Sequence, residues 1–339
     1  MDRKRLEEIL EDIRTVTVAV LGDFCLDAYW IGDMTRSELS RETPHFPLPI
    51  VGESYSPGGA GNVAWNAKDL GVSRVLALTL FGPDWRAYAL RKALIERDVD
   101  VSLVIEVEDW ITPCYAKPYR RGYQFEQEDP RLDFQNWTWP SSSAEEALIH
   151  ALDRCFPGCD ALIVTDQMPF GVVSERIRQR LGELGEAHPE KPILVDSRYR
   201  MGAFQHVMLK PNEMEAAQAI GLQEVKSYAV DRQRIEHCGL ALSERTGRPV
   251  FVTLGEYGIL VVENGHVRKA ATRPAEPPID IVGAGDTTIS ALASSLGAGA
   301  TCFEAAELAN LAASVTVKKL RQTGTATPEE VVRVFAQRG

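Results

Sequence analysis

The sequence predicts an α/β fold: a three-layer α/β/α domain around a mainly parallel central sheet, with a small β-sheet lid beside it. Three observations carry this expectation. From residue 144 onward, apolar runs of strand length alternate with helical stretches, the rhythm of a parallel sheet covered on both faces. The runs are apolar at consecutive positions, as strands buried on both sides require. Two segments, about 28–55 and 101–137, break the rhythm with short strand-like pieces, turns and prolines. Their shared texture predicts one small sheet over the carboxyl ends of the main strands, where ligands of open α/β sheets bind. Two unrelated surface insertions are the alternative. Residues 1–339 are expected to form a single domain with this lid inserted in it.

The elements follow in order. Residues 1–15 read as a charged amphipathic helix without the apolar centre of a signal peptide. Residues 15–23, TVTVAVLGD, are a strand ending in a Gly-Asp turn. A glycine turn at 58–61 opens a helix that ends near Gly71. Residues 72–82 form a strand and 85–99 a helix. Strands are expected within 102–108 and 114–129. Helices at 144–156, 173–187 and 213–221 alternate with strands at 160–166, 191–196 and 207–212. Residues 248–255 are a strand ending in a turn, 258–270 a hairpin, and 286–299 and 302–320 helices.

Composition narrows the function. The net charge of −11 argues against a general nucleic-acid binder, which needs a basic face. No apolar run is long enough to span a bilayer, so a cytoplasmic protein without a membrane partner is expected. Six cysteines are scattered, and only Cys155 and Cys159 lie close together, without a second pair to complete a zinc site. Reduced, buried thiols are expected. The Walker A pattern is absent, as is GxGxxG after the first strand.

The sharpest segment is 280–287, DIVGAGDT, which runs into a helix. Gly283 and Gly285 allow a tight turn and close approach to a ligand. The free N–H groups of Ala284, Gly285 and Asp286 in the first helical turn would form an anion hole. Asp286 can take the proton of an attacking hydroxyl while those donors stabilise charge on a transferring phosphoryl group. An ordinary helix N-cap is the alternative for a lone GAGD.

GAGD resembles the C-terminal signature of the ribokinase-like carbohydrate kinases, the PfkB family. Four further motifs resemble that family and stand in its order. Gly22 to Asp27 looks like its first strand and turn, and Gly58-Gly59-Ala60-Gly61-Asn62 like its N-terminal glycine motif. Asn212-Glu213-Met214-Glu215 matches its Asn-x-x-Glu motif, and Thr253 to Gly258 its nucleotide-contacting turn. The resemblance implies a ribokinase-like fold and an ATP-dependent sugar kinase using Mg²⁺. It implies a sugar held by Asp27, Gly58, Gly59 and Asn62. The nucleotide would lie along Thr253, Gly255, Gly258 and Asn310, and Asn212 and Glu215 would place the metal largely through water. A plain capped helix start also explains Asn212 and Glu215, and helix packing also explains Asn310. A homodimer formed through the lid is expected.

Residues 36–44, 58–66 and 131–133 look like the branch that phosphorylates heptose 7-phosphate. Some members of that branch are fused to a nucleotidyltransferase; this chain ends soon after the kinase pattern, which predicts no such fusion. Asp196-Ser197-Arg198 stands where the branch has Asp-Pro-Lys, and 165–169, TDQMP, replaces Ser-Asp-Tyr-x-Lys. Arg198 and Lys210 are candidate replacements for the missing positive charge, with a solvated surface charge the alternative for each. A kinase of an unphosphorylated sugar or nucleoside, and a non-catalytic sugar or nucleotide sensor, are the competing functions.

Overall fold

Along β1 (Thr17–Gly22), Val18 and Val20 enter one apolar core while Ala19 and Leu21 enter another. A strand's side chains alternate between faces, so this strand lies between two helical layers. The computed structural model describes residues 1–222, 225–320 and 323–337. After β1 come β2 (Phe24–Asp33), β3 (Ile50–Gly59), β4 (Arg74–Leu78), β5 (Leu80–Phe81), β6 (Val99–Asp100) and β7 (Ile105–Glu106). Then follow β8 (Cys114–Arg121), β9 (Glu126–Glu128), β10 (Leu132–Phe134), β11 (Ala161–Asp166) and β12 (Ile193–Ser197). The last strands are β13 (Met208–Leu209), β14 (Val250–Thr253), β15 (Ile259–Glu263) and β16 (His266–Ala270). The main sheet has the order β16-β15-β14-β13-β12-β11-β1-β4-β6. It is parallel from β6 to β14, and β15 and β16 extend it as an antiparallel hairpin.

One face carries α1 (Arg3–Asp12), α2 (Ala60–Asp69) and α3 (Trp85–Glu96), with α8 (Ala284–Gly297), α9 (Cys302–Thr316) and α10 (Pro328–Ala336). The other carries α4 (Ser142–Cys155), α5 (Glu175–Ala187), α6 (Glu213–Ala219) and α7 (Tyr228–Thr246). The expected three-layer arrangement is therefore present. The sequence reading passed over α7 and α10. Inside α7, Gly239 weakens the helical signal, yet a Cβ there would lie 2.8 Å from Val262 Cγ2, so the glycine lets the helix sit close on the sheet.

A second, smaller sheet has the order β10-β8-β2-β3, with β9 on β8. It draws on both interrupting segments, with different bounds. The first contribution runs from Phe24 to Asp33 and from Ile50 to Gly59. The second begins only at Cys114. Residues 101–113 stay with the main body, because Leu103 and Trp110 are buried in its core and β7 pairs with β5. No helix among the described residues is long and apolar enough to cross a membrane. All six cysteines are free, five of them buried.

Candidate active site

The loops after β1, β11, β12, β13 and β14 meet at the carboxyl edge of the main sheet, facing the start of α8. Gly283 caps that helix in the left-handed region, at φ 80°. The N–H of Ala284 turns back to the carbonyl of Ile281 at 3.2 Å. The expected trio of outward donors is thus reduced to Gly285 and Asp286, whose amides have no acceptor among the described residues. Asp286 sits half-buried in the first turn and accepts a 2.7 Å hydrogen bond from Asn62 Nδ2. Withdrawal from water pushes its pKa up to about 7, and Asp196 and Asp27 add to the rise, while Asn62 and Lys210 oppose it.

Asn62 was expected to touch sugar. It is fully buried and holds Asp286 instead. Asn66 Nδ2 donates to Asn62 Oδ1 at 3.2 Å, and Thr287 Oγ1 donates to Asn66 Oδ1 at 2.7 Å, so α2 and α8 are stitched together behind the carboxylate. The turn into α2 fixes Asn62. Gly59 has φ 53° and ψ −128°, and a Cβ there would lie 2.6 Å from the carbonyl oxygen of Asp23. That same oxygen accepts from Ala60 N at 3.1 Å. At Gly58 a Cβ would lie 3.1 Å from Asp27 Oδ2, so the glycine leaves that carboxylate room.

Asp27 lies on β2, in the small sheet itself, and only 6% of it is exposed. Lys117 Nζ on β8 stands 3.2 Å from its Oδ1. Burial raises the Asp27 carboxyl above the usual range, with Lys117 pulling it back. Nearby, the Arg131 guanidinium stacks on Tyr115 at 4.2 Å and grips Asp133 through two 2.6 Å hydrogen bonds. Tyr115 in turn donates to Met168 Sδ at 3.4 Å.

Across the edge, Asn212 and Glu215 form a reciprocal cap at the start of α6. Glu215 N donates to Asn212 Oδ1 and Asn212 N to Glu215 Oε2, both at 2.8 Å. The helix-start reading is therefore correct as far as it goes, and it leaves Asn212 Nδ2 and Glu215 Oε1 outside the cap. Burial and Asp196 raise the Glu215 carboxyl, against Lys210. Asn212 bridges to Thr253, whose N–H donates to the carbonyl of Pro211 at 2.9 Å, so the Asn-x-x-Glu helix and the turn after β14 lie side by side. In that turn Gly255 has φ 56° and Gly258 φ 96°. A Cβ on Gly258 would lie 2.2 Å from the carbonyl of Ala270, which forces glycine there. Asn310 on α9 is 5% exposed and donates to the same Ala270 carbonyl at 2.8 Å, fastening α9 to the end of β16.

Lys210 and Arg198 separate. Arg198 is exposed. Lys210 is 4% exposed, with its Nζ 3.0 Å from Asp196 Oδ2 and 3.9 Å from where a Cβ of Gly285 would stand. Burial pulls its pKa down, but Asp196, Glu215 and Asp286 more than restore it, so it stays an ammonium ion. Its place beside the glycine turn had no local sequence signal.

The substituted loop after β11 is held by groups the sequence did not reveal. Asp23 accepts from the N–H groups of Gln167, Met168 and Val172, each at 2.8 Å. Its own N–H donates to the Thr165 carbonyl at 3.0 Å. Burial and the neighbouring Asp166 raise its pKa to about 7. Fully buried Asp166 is paired with Arg200 at 2.5 Å, and Arg200 also donates to the carbonyls of Met168 at 2.6 Å and Pro169 at 3.0 Å. Arg200, from the loop after β12, thus supplies a cation to the loop that lacks the lysine.

The pfkB family carbohydrate kinase model matches residues 50–330. Bifunctional protein HldE of Nitrosococcus oceani is 33% identical over 331 residues, 97% of this chain and 66% of that protein. Bifunctional protein HldE of Trichlorobacter lovleyi is 31% identical over 346 residues, 98% of this chain and 65% of that protein. The chain thus spans just under two thirds of these relatives. The Arabidopsis thaliana ribokinase structure with ribose and ATP superposes with a TM-score of 0.67 at 18% identity, covering 94% of this chain and 98% of that one. Escherichia coli phosphofructokinase-2 with fructose-6-phosphate gives 0.68 at 18% identity, covering 95% and 99%. These two establish a shared ribokinase-like fold. With the family model matched over most of its length, the chain belongs to the pfkB family of carbohydrate kinases, phosphotransferases whose acceptor is a sugar hydroxyl.

Proposed function

We propose that the chain is an ATP-dependent kinase of a sugar phosphate resembling heptose 7-phosphate, with Asp286 as catalytic base. One observation carries the mechanism: a carboxylate whose pKa burial raises to about 7 stands at a helix start, beside two amides that have no acceptor among the described residues. A base with that pKa is ionised in a useful fraction near neutrality and still accepts a proton readily. Asp286 takes the proton of the sugar hydroxyl as its oxygen bonds to the γ-phosphorus. The bond from that phosphorus to the bridging oxygen breaks, and ADP leaves with the electron pair. The amides of Gly285 and Asp286 hold the charge of the passing phosphoryl group.

The sugar lies between the small sheet, acting as a lid, and α8, against Asp27, Gly58 and Gly59. Asn62 acts through Asp286. The nucleotide follows the turn from Thr253 through Gly255 to Gly258, walled by the α9 helix that Asn310 fastens. Among the described residues no three His, Cys, Asp or Glu side chains cluster as a metal cage. The groups of Asn212 and Glu215 left outside their cap fit Mg²⁺ instead, because that ion keeps much of its water and is carried by phosphates. Bound there, Mg²⁺ supplies positive charge to the phosphate oxygens.

Lys117 and Arg131 near Asp27, with Arg198 exposed just after β12, support a substrate that already bears a phosphate. The pairing of Lys117 with Asp27 and of Arg131 with Asp133 favours, as a second reading, an unphosphorylated sugar or a nucleoside. ADP release across a panel of sugars, sugar phosphates and nucleosides separates the two. The exposed Ile50, Val51 and Leu132 of the small sheet support a homodimer through the lid. The test of the mechanism is Asp286→Asn: turnover is expected to fall by several orders of magnitude while ATP still binds. Undiminished turnover would remove Asp286 as the base.

A further inference from the structure

We infer that Cys155 and Cys159 form a preorganised dithiol that hydrogen peroxide converts to a disulfide, a reversible modification site remote from the kinase chemistry. The two residues bracket one short turn. Cys155 is the last residue of α4, Phe156–Gly158 form a single 3-10 turn, and Cys159 stands just before β11. Phe156 is buried in the core, and Lys191 Nζ donates to the carbonyls of Phe156 at 2.8 Å and Pro157 at 3.2 Å. Beyond the turn, Asp160 N donates to the Thr17 carbonyl at 2.9 Å, and Asp160 Oδ2 accepts from Thr17 N at 2.8 Å. The backbone on either side of the thiols is thereby fixed. Cys159 Sγ donates to the Cys155 carbonyl at 3.2 Å, and the two thiols lie within hydrogen-bonding reach of each other. Pairing them asks for side-chain rotation and not for movement of α4 or β11.

The pair also differs from the other thiols in reactivity and access. Burial raises the thiol pKa of Cys25, Cys114, Cys238 and Cys302. Cys159 alone is lowered: as a thiolate it accepts from the Cys155 thiol, and Lys191 and Arg74 add to the effect against burial and Asp160. Cys155, the donor of that bond, is raised. Cys159 lines a surface cleft of about 410 Å³ with Pro157, Lys191 and Leu296, and Cys155 is partly exposed. A molecule as small as peroxide can enter there. The Cys159 thiolate attacks one peroxide oxygen; an S–O bond forms, the O–O bond breaks, and the departing hydroxide takes up the proton that the thiol lost, giving water. Cys155 then attacks the sulfenic sulfur; the S–S bond forms, the S–O bond breaks, and the oxygen leaves as a second water with the Cys155 proton. Two thiols are oxidised by two electrons and one peroxide is reduced to two waters. A dithiol reductant reverses the change by exchange. The six residues of β11 separate this pair by about 20 Å from Asp166 at the carboxyl edge of the sheet.

The test uses the full chain, hydrogen peroxide as the probe, and rapid alkylation followed by peptide mass analysis. A disulfide between residues 155 and 159, lighter by two hydrogens and absent after dithiothreitol, is expected to form at least about tenfold faster than any other cysteine is oxidised. In Cys155→Ser the serine keeps a hydrogen-bond donor but cannot form the cross-link, so Cys159 should stop at a sulfenic acid that dimedone captures. Cys159→Ser should leave Cys155 unreacted at the same peroxide dose. Both residues still fully alkylated when the buried cysteines begin to oxidise would overturn the inference. So would a Cys159→Ser chain whose Cys155 reacts as fast as in the wild type. A disulfide that forms only in urea would overturn it as well, since pairing would then require the unfolded chain.

Discussion

Replacing Asn62 with alanine removes the one hydrogen bond that the Asp286 carboxylate accepts from a side chain among the described residues. The bond favours the ionised form, so its loss raises the carboxyl pKa from about 7. A hydrogen bond to a charged group contributes about 1.5–3 kcal/mol, equivalent to about 1–2 pKa units. The base of Asn62→Ala should therefore titrate at about 8–9. A carboxylate catalyst is active when deprotonated, so activity is lost as pH falls through this value. At pH 7.5 roughly three quarters of the wild-type base is ionised, against about a tenth for a half-point of 8.5, which gives a loss of about eightfold. At pH 9.5 the same calculation leaves the two enzymes within about 10% of each other in ionisation. The assay is kcat/KM by coupled ADP release from pH 5.5 to 9.5. An acid limb that stays near pH 7 while the whole profile drops would refute the reasoning, since Asn62 would then be positioning the carboxylate without tuning it.

Two further perturbations test the framework. Gly59→Ala forces a side chain into a conformation reserved for glycine and against the Asp23 carbonyl, and should cost about 1–3 kcal/mol, read as a lower urea midpoint with an unchanged slope. Arg200→Met strands the buried Asp166 carboxylate and should cost about 3–5 kcal/mol; adding Asp166→Asn should restore part of that stability.

The parts of this protein legible in its sequence are those written locally. Consecutive apolar residues gave the parallel strands, and the glycines at 58–59 and 283–285 marked the turns that reach the site. The bond between Asn62 and Asp286 spans 224 positions, and no local pattern encodes it. For the same reason Asn62 read as a sugar ligand and Lys210 as a possible surface charge. The reduction of the amide trio could not be foreseen either, because it depends on how the chain turns at Ile281. Arg200 escaped notice because its partners Asp166, Met168 and Pro169 stand at the end of the neighbouring strand and in the loop after it, 31 to 34 positions earlier. The boundary of the small sheet was misjudged because strand-like texture says nothing about which sheet a strand will join.

The passage from the main sheet to the small one takes a single residue, Asp23, between the end of β1 and the start of β2. Its amide, its carbonyl and both carboxylate oxygens are all engaged. A joint tied at every polar atom makes a poor pivot. Any swing of the small sheet toward the nucleotide would have to flex β2 beyond this point, or drag with it the Gly59–Ala60 turn bound to the same carbonyl. That turn leads directly to Asn62. Mechanical strain from substrate capture would therefore arrive at the residue that is hydrogen-bonded to Asp286.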